Sequence, residues 1–374
     1  MFSRMRVRVL VILPSLLAVG AGMLMAQTNP HQSRSTSFGT SGGNINNISK
    51  AFCCSGTLGS LVSSSGGQYI LSNNHVLADA DQAASGEDIS QPGLIDNNCR
   101  PATIVADFTV APHFGTNVDA ALAALRAGQM DSRGTILDIG VPNSSPLNAS
   151  TNLLVAKSGR TTGLSCGSVQ STNTSVKVQY QQGCNQGKKF TITYTNQVVV
   201  GGSGFSAGGD SGSLIVSQTG KRPTALLFAG SSSTTIGNPI NEVLSQLTTS
   251  LGSAVSFVGT SNPGNVTCPA AGGGSLRGRP SQTGLDRATV AKEAHAQELM
   301  ADPAVMGVGV GSSERNPAEA VVNVYVETGR AHGLIPAELD GVRTQIIRTD
   351  LIRAYGWNEP QRQAASNSCL AKAR

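Results

Sequence analysis

The chain has 374 residues, 39% of them hydrophobic and only 4% aromatic, with 44 glycines, seven cysteines and a formal charge of +5. A charged share of 13%, about half the usual proportion, combined with this apolar content excludes a disordered polyelectrolyte and points to packed, Gly/Ser/Thr-rich β structure in one large or two smaller domains. Arg4, Arg6 and Arg8 supply three of the five net charges, and residues 27–260 and 261–374 each balance to +1, so neither nucleic acid nor an anionic membrane is expected as a partner.

The three arginines precede an apolar run, Val9 to Ala26. Residues 1–26 therefore read as a signal peptide cut after Ala26; a permanent anchor would have to span the bilayer with a run interrupted by Pro14 and several small residues. A secreted or periplasmic protein, with no membrane association after cleavage, is expected. Residues 27–50, rich in Ser, Asn, Gly and Thr, read as a loose polar leader. From Gly56 to about Gly230 come short β-like runs at Thr57–Val62, Gln68–Leu71, Thr103–Val110, Leu153–Ala156, Ser175–Tyr180, Phe190–Val200, Ser213–Val216 and Thr224–Ala229. Many short strands with turn residues between them predict a sandwich or a pair of barrels. Asn238-Pro239 then opens a helix with Ile240, Val243, Leu244 and Leu247 on one face, placing one domain at 51–259.

Residues 260–284, with three prolines and Gly272-Gly273-Gly274, read as a linker. Beyond them the share of charged residues rises from about one in ten to about one in five, which marks a second domain at 285–374. A helix over Asp286–Met300 and β-like runs at Val305–Val310, Ala320–Val326 and Val342–Ile347 predict a small α+β module. It holds no catalytic constellation, and His295 and His332 read as a solvated helix residue and a loop residue. Its texture suits a protein-contact domain, an intramolecular inhibitor or a surface-attachment piece.

In an oxidising compartment the cysteines are expected to pair. Cys166 and Cys184 flank a polar hairpin-like stretch and are the predicted couple; Cys99 is expected to join Cys53 or Cys54, and the odd count leaves at least one thiol free or bonded to another chain. No CxxC pair, P-loop or dinucleotide motif occurs, so no metal and no cofactor is expected.

Three segments carry chemistry: Ser72-Asn73-Asn74-His75-Val76, Val118-Asp119-Ala120-Ala121, and Gly208-Gly209-Asp210-Ser211-Gly212-Ser213. Taken singly, His75 reads as a strand-end core residue, Asp119 as a helix cap and Gly-Asp-Ser-Gly as a tight turn. Together they supply a hydroxyl nucleophile, a base that exchanges protons near neutral pH and a carboxylate to orient it. His113 is the other histidine near the aspartate, but Pro112 and Gly115 place it in a loop.

These motifs, with Lys157-Ser158-Gly159-Arg160-Thr161-Thr162-Gly163 and Leu226 to Gly230, resemble the chymotrypsin-like (trypsin-fold) serine peptidases, in particular a bacterial trypsin-like branch; the His, Asp, Ser order and the gaps of 44 and 92 residues fit that family. The resemblance implies an all-β fold of two six-stranded antiparallel barrels with a C-terminal helix, here followed by the α+β module. It implies a serine endopeptidase acting on polypeptide substrates through His75, Asp119 and Ser211, with the Gly209 and Ser211 amides as oxyanion donors. Many relatives insert a cleaved Ile/Val-rich amino terminus against the aspartate preceding the nucleophile. No such start precedes Cys53, so Asp210 needs another partner, for which Arg160 is the candidate. The position six before Ser211 is Phe205 rather than an acid, so Phe205, with Phe228 and Gly230, is the expected substrate pocket, suited to small or apolar side chains. The competing functions are a catalytically inactive binding module on the same fold and an esterase using the same triad.

Overall fold

The computed structural model describes residues 29–49, 52–269 and 278–354; the proposed signal peptide and Cys369 lie outside them. The first half is built from β1 (Thr40–Asn44), β2 (Gly56–Leu58), β3 (Ser60–Ser64), β4 (Gly67–Ser72), β5 (Asp88–Gln91), β6 (Thr103–Val110) and β7 (Ala121–Leu125). Their order in the sheet is β3-β4-β7-β6-β5-β1-β2. Its two ends, β2 and β3, are successive pieces of one stretch separated only by Gly59, so the sheet curls round and meets itself. Leu61, Ile70, Leu71, Ile89, Val105 and Leu122 belong to one core cluster that includes both faces of the sheet, none measurably exposed.

The second half uses β8 (Leu154–Gly159), β9 (Gly163–Gln181), β10 (Lys189–Gly201), β11 (Leu214–Ser217), β12 (Pro223–Gly230) and β13 (Thr234–Pro239). These follow the order β10-β13-β12-β11-β8-β9, and β9 pairs back onto β10 to complete the ring. The molecule is thus mostly β, with the trypsin fold and an extra C-terminal module. The predicted helix is present as Ile240–Leu251; its buried face, Ile240, Val243 and Leu247, packs into the first half's core. At about 1.5–3 kcal/mol for each fully buried aliphatic side chain, this face clamps the two halves together. β14 (Ser256–Phe257) then returns to pair with β3.

The stretch 27–50 is not the loose leader its polarity suggested. β1 within it is buried at every residue and pairs with both β2 and β5. It contains no large apolar side chain because none fits: a Cβ on Gly42 would lie 2.4 Å from Leu58 Cγ. The cysteine expectation is also corrected. Cys166 pairs with Cys268 and Cys184 with Cys54, while Cys53 takes Cys99; no described cysteine is free. Cys184 sits in a left-handed turn (φ +46°) at the tip of the β9–β10 hairpin, and that tip folds across to the first half. Cys166 on β9 instead anchors the chain leaving the barrel, and the Val266 amide bonds to Gln218 O, so residues 260–269 run along the second barrel.

The C-terminal module consists of a helix, Gln282–Ala301, and strands β15 (Val305–Ser312), β16 (Ala320–Glu327), β17 (Glu338–Leu339), β18 (Val342–Thr349) and β19 (Arg353–Ala354). Ala288, Ala291 and Leu299 of the helix pack on Val308, Val310, Val322 and Val324. The module is not a separate body on a tether. β15 pairs antiparallel with β9 (Gly307↔Val176, Gly311↔Ser171), so one eleven-stranded sheet runs from the barrel into the module. The opposite face places Met306 and Tyr325 in a cluster with Tyr180, Tyr194 and Phe228 of the barrel. No helix among the described residues is long and apolar enough to cross a membrane.

Candidate active site

His75 and Asp119 meet at the edge of the first half, and the Ser211 turn of the second half lies against the same segment, where a Cβ on Gly56 would touch both Val76 Cγ2 and Ser211 O. His75 lies on a short helical turn, Asn74–Leu77, directly after β4. Asp119 precedes β7, and β4 pairs with β7 from Ser72↔Ala121, so strand register brings histidine and aspartate side by side. His75 Nδ1 is 2.6 Å from Asp119 Oδ2, and the His75 amide donates to Oδ1 at 3.2 Å. Asp119 is fully buried. An isolated carboxylate there would be prohibitively costly, and the structure supplies a set of partners. Tyr180 on β9 donates its hydroxyl to Oδ2 at 2.9 Å. The Asp119 amide donates to Asn238 Oδ1, and Asn73 Nδ2 donates to the Asp119 carbonyl. Burial, then the neighbouring Asp119 charge, push the Tyr180 phenol well above its ordinary range, so it stays protonated and remains a donor.

Ser211 follows a turn that the second barrel holds tightly. The Gly212 amide donates to Leu227 O and the Leu227 amide to Ser213 O. Gly209 has φ +96°, and a Cβ there would lie 2.6 Å from Thr161 Oγ1, so glycine is required at this position. No hydrogen bond within the described residues engages the Gly209 or Ser211 amide. The first half grips the same turn through Thr57: its amide donates to Ser211 O at 2.8 Å and its hydroxyl to Gly209 O at 2.9 Å. Gly59 permits this approach, since a Cβ there would lie 1.9 Å from Gly212 O. Among the described residues, Ser211 Oγ and His75 Nε2 are both buried without a hydrogen-bond partner.

Asp210 is fully buried, and its partner is Lys157 rather than Arg160. Lys157 Nζ, itself unexposed, stands 3.2 Å from Asp210 Oδ2. The amides of Thr161, Thr162 and Ala207 and the Thr162 hydroxyl complete the shell around the carboxylate. Burial alone would raise this carboxyl; the Lys157 charge and the donors outweigh it and hold Asp210 below the usual carboxylate range. Arg160, three residues further along the chain, turns away and forms a two-pronged pair with Asp96. A buried internal ion pair therefore stands where an inserted amino terminus was considered.

Of the other sequence candidates, Phe205 packs among Val155, Val169, Val200 and Leu227 in the barrel interior, and Phe228 lies 4.9 Å from Tyr194, centroid to centroid, in a second interior cluster. Neither ring reaches an open surface. Gly230 lies at the end of β12 and pairs with Arg353 of β19. His113 is largely exposed, 3.5 Å from Asp81. His295 is 3.0 Å from Asp340, and His332 bonds Gly333 O and Arg348 on the surface. Sequence reasoning missed Thr57, Tyr180, Asn238 and Lys157. Lys157 was within reach, because a lysine in the interior of an apolar strand requires a buried counter-charge.

The trypsin family model matches residues 27–242, more than half the chain, and the chain belongs to that family. Its solved structural relatives are bacterial chymotrypsin-like serine proteases. A glutamic acid specific serine protease is 22% identical over 54% of this chain and 92% of its own (TM-score 0.38). Thermobifida fusca protease A is 20% identical over 54% and 91% (TM-score 0.37), and Cellulomonas bogoriensis chymotrypsin 18% identical over 60% and 99% (TM-score 0.39). No curated protein matches the chain in sequence.

Proposed function

We propose that the protein is a secreted serine endopeptidase that cleaves polypeptides through an acyl-enzyme. The observation that carries this reading is the buried His75–Asp119 pair, which uses Nδ1 and leaves His75 Nε2 and Ser211 Oγ as unpaired buried atoms at the same junction. Asp119 fixes the ring orientation and stabilises the imidazolium. His75 Nε2 takes the Ser211 proton as Oγ bonds to the scissile carbonyl carbon. The resulting oxyanion is met by the free amides of Gly209 and Ser211, each such donor being worth on the order of 10²–10³ in turnover. Collapse breaks the C–N bond, and His75 returns the proton to the leaving amine. Water then attacks the ester with His75 again as base, the acid product leaves and Ser211 Oγ regains its proton. Three disulfides and the leading basic-apolar segment support an oxidising destination outside the cytoplasm.

The test is labelling of the mature protein with a fluorophosphonate, alongside Ser211→Ala and His75→Ala. Label on the wild type alone is expected. No label on any chain favours the inactive binding module, and label on Ser211→Ala shows another nucleophile. Turnover of small esters but not of polypeptides favours the esterase.

A further inference from the structure

β12 changes partner where it reaches the site. Leu226 and Ala225 pair with β11, and Leu227 bonds the turn that carries Ser211. Past this point, across a register shift after Leu227, Ala229 and Gly230 pair on one side with β13. Their other edge is left open by the protease half, just beyond the nucleophile. An open strand edge is a ready-made receptor for an extended peptide, with main-chain hydrogen bonds supplying affinity. In this chain the edge is filled by the chain's own last described residues.

Arg353 and Ala354 lie antiparallel to Gly230 and Ala229, while Arg353 pairs in parallel with Gln179 of β9. The Gln179 amide also donates to Ile352 O at 3.0 Å. From Arg353 to Ala354 the partner steps back along β12 from Gly230 to Ala229, toward Ser211. Ala354 accordingly borders a cavity of about 40 Å³ that His75 and Tyr180 also line. The approach is fastened: Thr349 Oγ1 is 2.8 Å from Ser231 Oγ, Asp350 accepts from Ser232, and Ile352 is buried beside Phe228 and Tyr180.

We propose that β19 occupies the place of a polypeptide substrate on the acyl side of the scissile bond, so that substrates bind as a strand on Ala229–Gly230 only by displacing Arg353–Ala354. The C-terminal module is then a tethered competitive ligand of its own barrel. This deepens the endopeptidase reading and rests on it for the substrate's identity, but occupancy of the edge is measurable without catalysis.

Two Ser211→Ala chains, one full length and one ending after Arg348, are titrated by fluorescence anisotropy with a fluorescein-labelled peptide of residues 349–354. A tethered segment competes at an effective concentration in the millimolar range, so the shortened chain is expected to bind the peptide at least ~10-fold more tightly. Arg353→Pro in the full chain, which removes a strand N–H and keeps every downstream residue, is expected to act in the same direction and decides the matter if the shortened chain fails to fold. Equal affinity in full-length and Arg353→Pro chains, or binding to neither, overturns the proposal. Fluorophosphonate labelling of the corresponding Ser211 chains separates the two readings. Stronger peptide binding without label sinks hydrolysis and keeps the strap; label with unchanged peptide affinity sinks the strap and keeps hydrolysis.

Discussion

Replacing Lys157 with methionine tests how Asp210, the residue preceding Ser211, is held. The substitution removes an ammonium group from a site with no solvent access and leaves the Asp210 carboxylate equally buried. Removing one partner of such a pair costs about 3–5 kcal/mol. Three amides and one hydroxyl still point at Asp210, and charge-assisted bonds of this kind are individually strong, so a loss near ~3 kcal/mol is expected in urea unfolding of the oxidised protein. The double variant Lys157→Met with Asp210→Asn should recover most of that loss, because a neutral amide needs no counter-charge; the coupling read from the cycle should be ~2 kcal/mol. Labelling of Ser211 should slow in the single variant, since the Asp210 carbonyl receives the Ser213 amide and hydroxyl and the residue lies between the two free amides. With its carboxyl held below the ordinary range, Asp210 contributes stability above that range, and the contribution is lost as pH falls through the depressed value. A Lys157→Met chain within about 0.5 kcal/mol of wild type, typical of a neutral surface change, refutes the account.

Tyr180→Phe deletes one donor to Asp119 while keeping the ring; kcat for a peptide substrate is expected to fall ~10- to 100-fold with KM unchanged, since a bond to a charged group contributes about 1.5–3 kcal/mol. Asp79 titrates at about 6, raised by burial and then by Glu87. The folded protein thus holds a proton that the unfolded chain loses near pH 4, and stability declines as pH rises from 4 to 6. Allowing for solvent screening at this partly exposed site, the decline is on the order of 1–2 kcal/mol, and Asp79→Asn should abolish it in melts across that range. Paired Cys54→Ala and Cys184→Ala substitutions open a bridge spanning 130 residues and should cost about 2–5 kcal/mol in urea.

The apolar strands were legible because β6 carries Ile, Val and Phe and β16 a run of valines, and the helix Ile240–Leu251 because its buried face repeats at helical spacing. β1 was illegible because its residues, Thr-Ser-Gly-Gly-Asn, are buried by close backbone approach rather than by side-chain hydrophobicity. The first half of β9 hid for a related reason: Ser165 to Thr174 is polar, and its strand character comes from pairing with β8, β10 and β15. The His75–Asp119 pair and the glycine-rich Ser211 turn were readable as motifs. Their support was not, since Tyr180 and Asn238 meet Asp119 from 61 and 119 residues away, and only the closed barrel defines those contacts. Lys157 and Arg160 illustrate the limit: both lie in the right segment, and the direction each side chain takes off β8 and its following turn decides which meets Asp210.

All six strands of the second barrel precede residue 240, whereas β15 begins at Val305 and β19 at Arg353. A chain emerging amino end first therefore completes its second barrel roughly a hundred residues before the strand that covers it. At about 5–20 residues per second, that interval is on the order of 5–20 s. The order of synthesis sets a window in which the newborn barrel has an uncovered edge, and neighbouring unfolded chains are the extended peptides at hand to fill it.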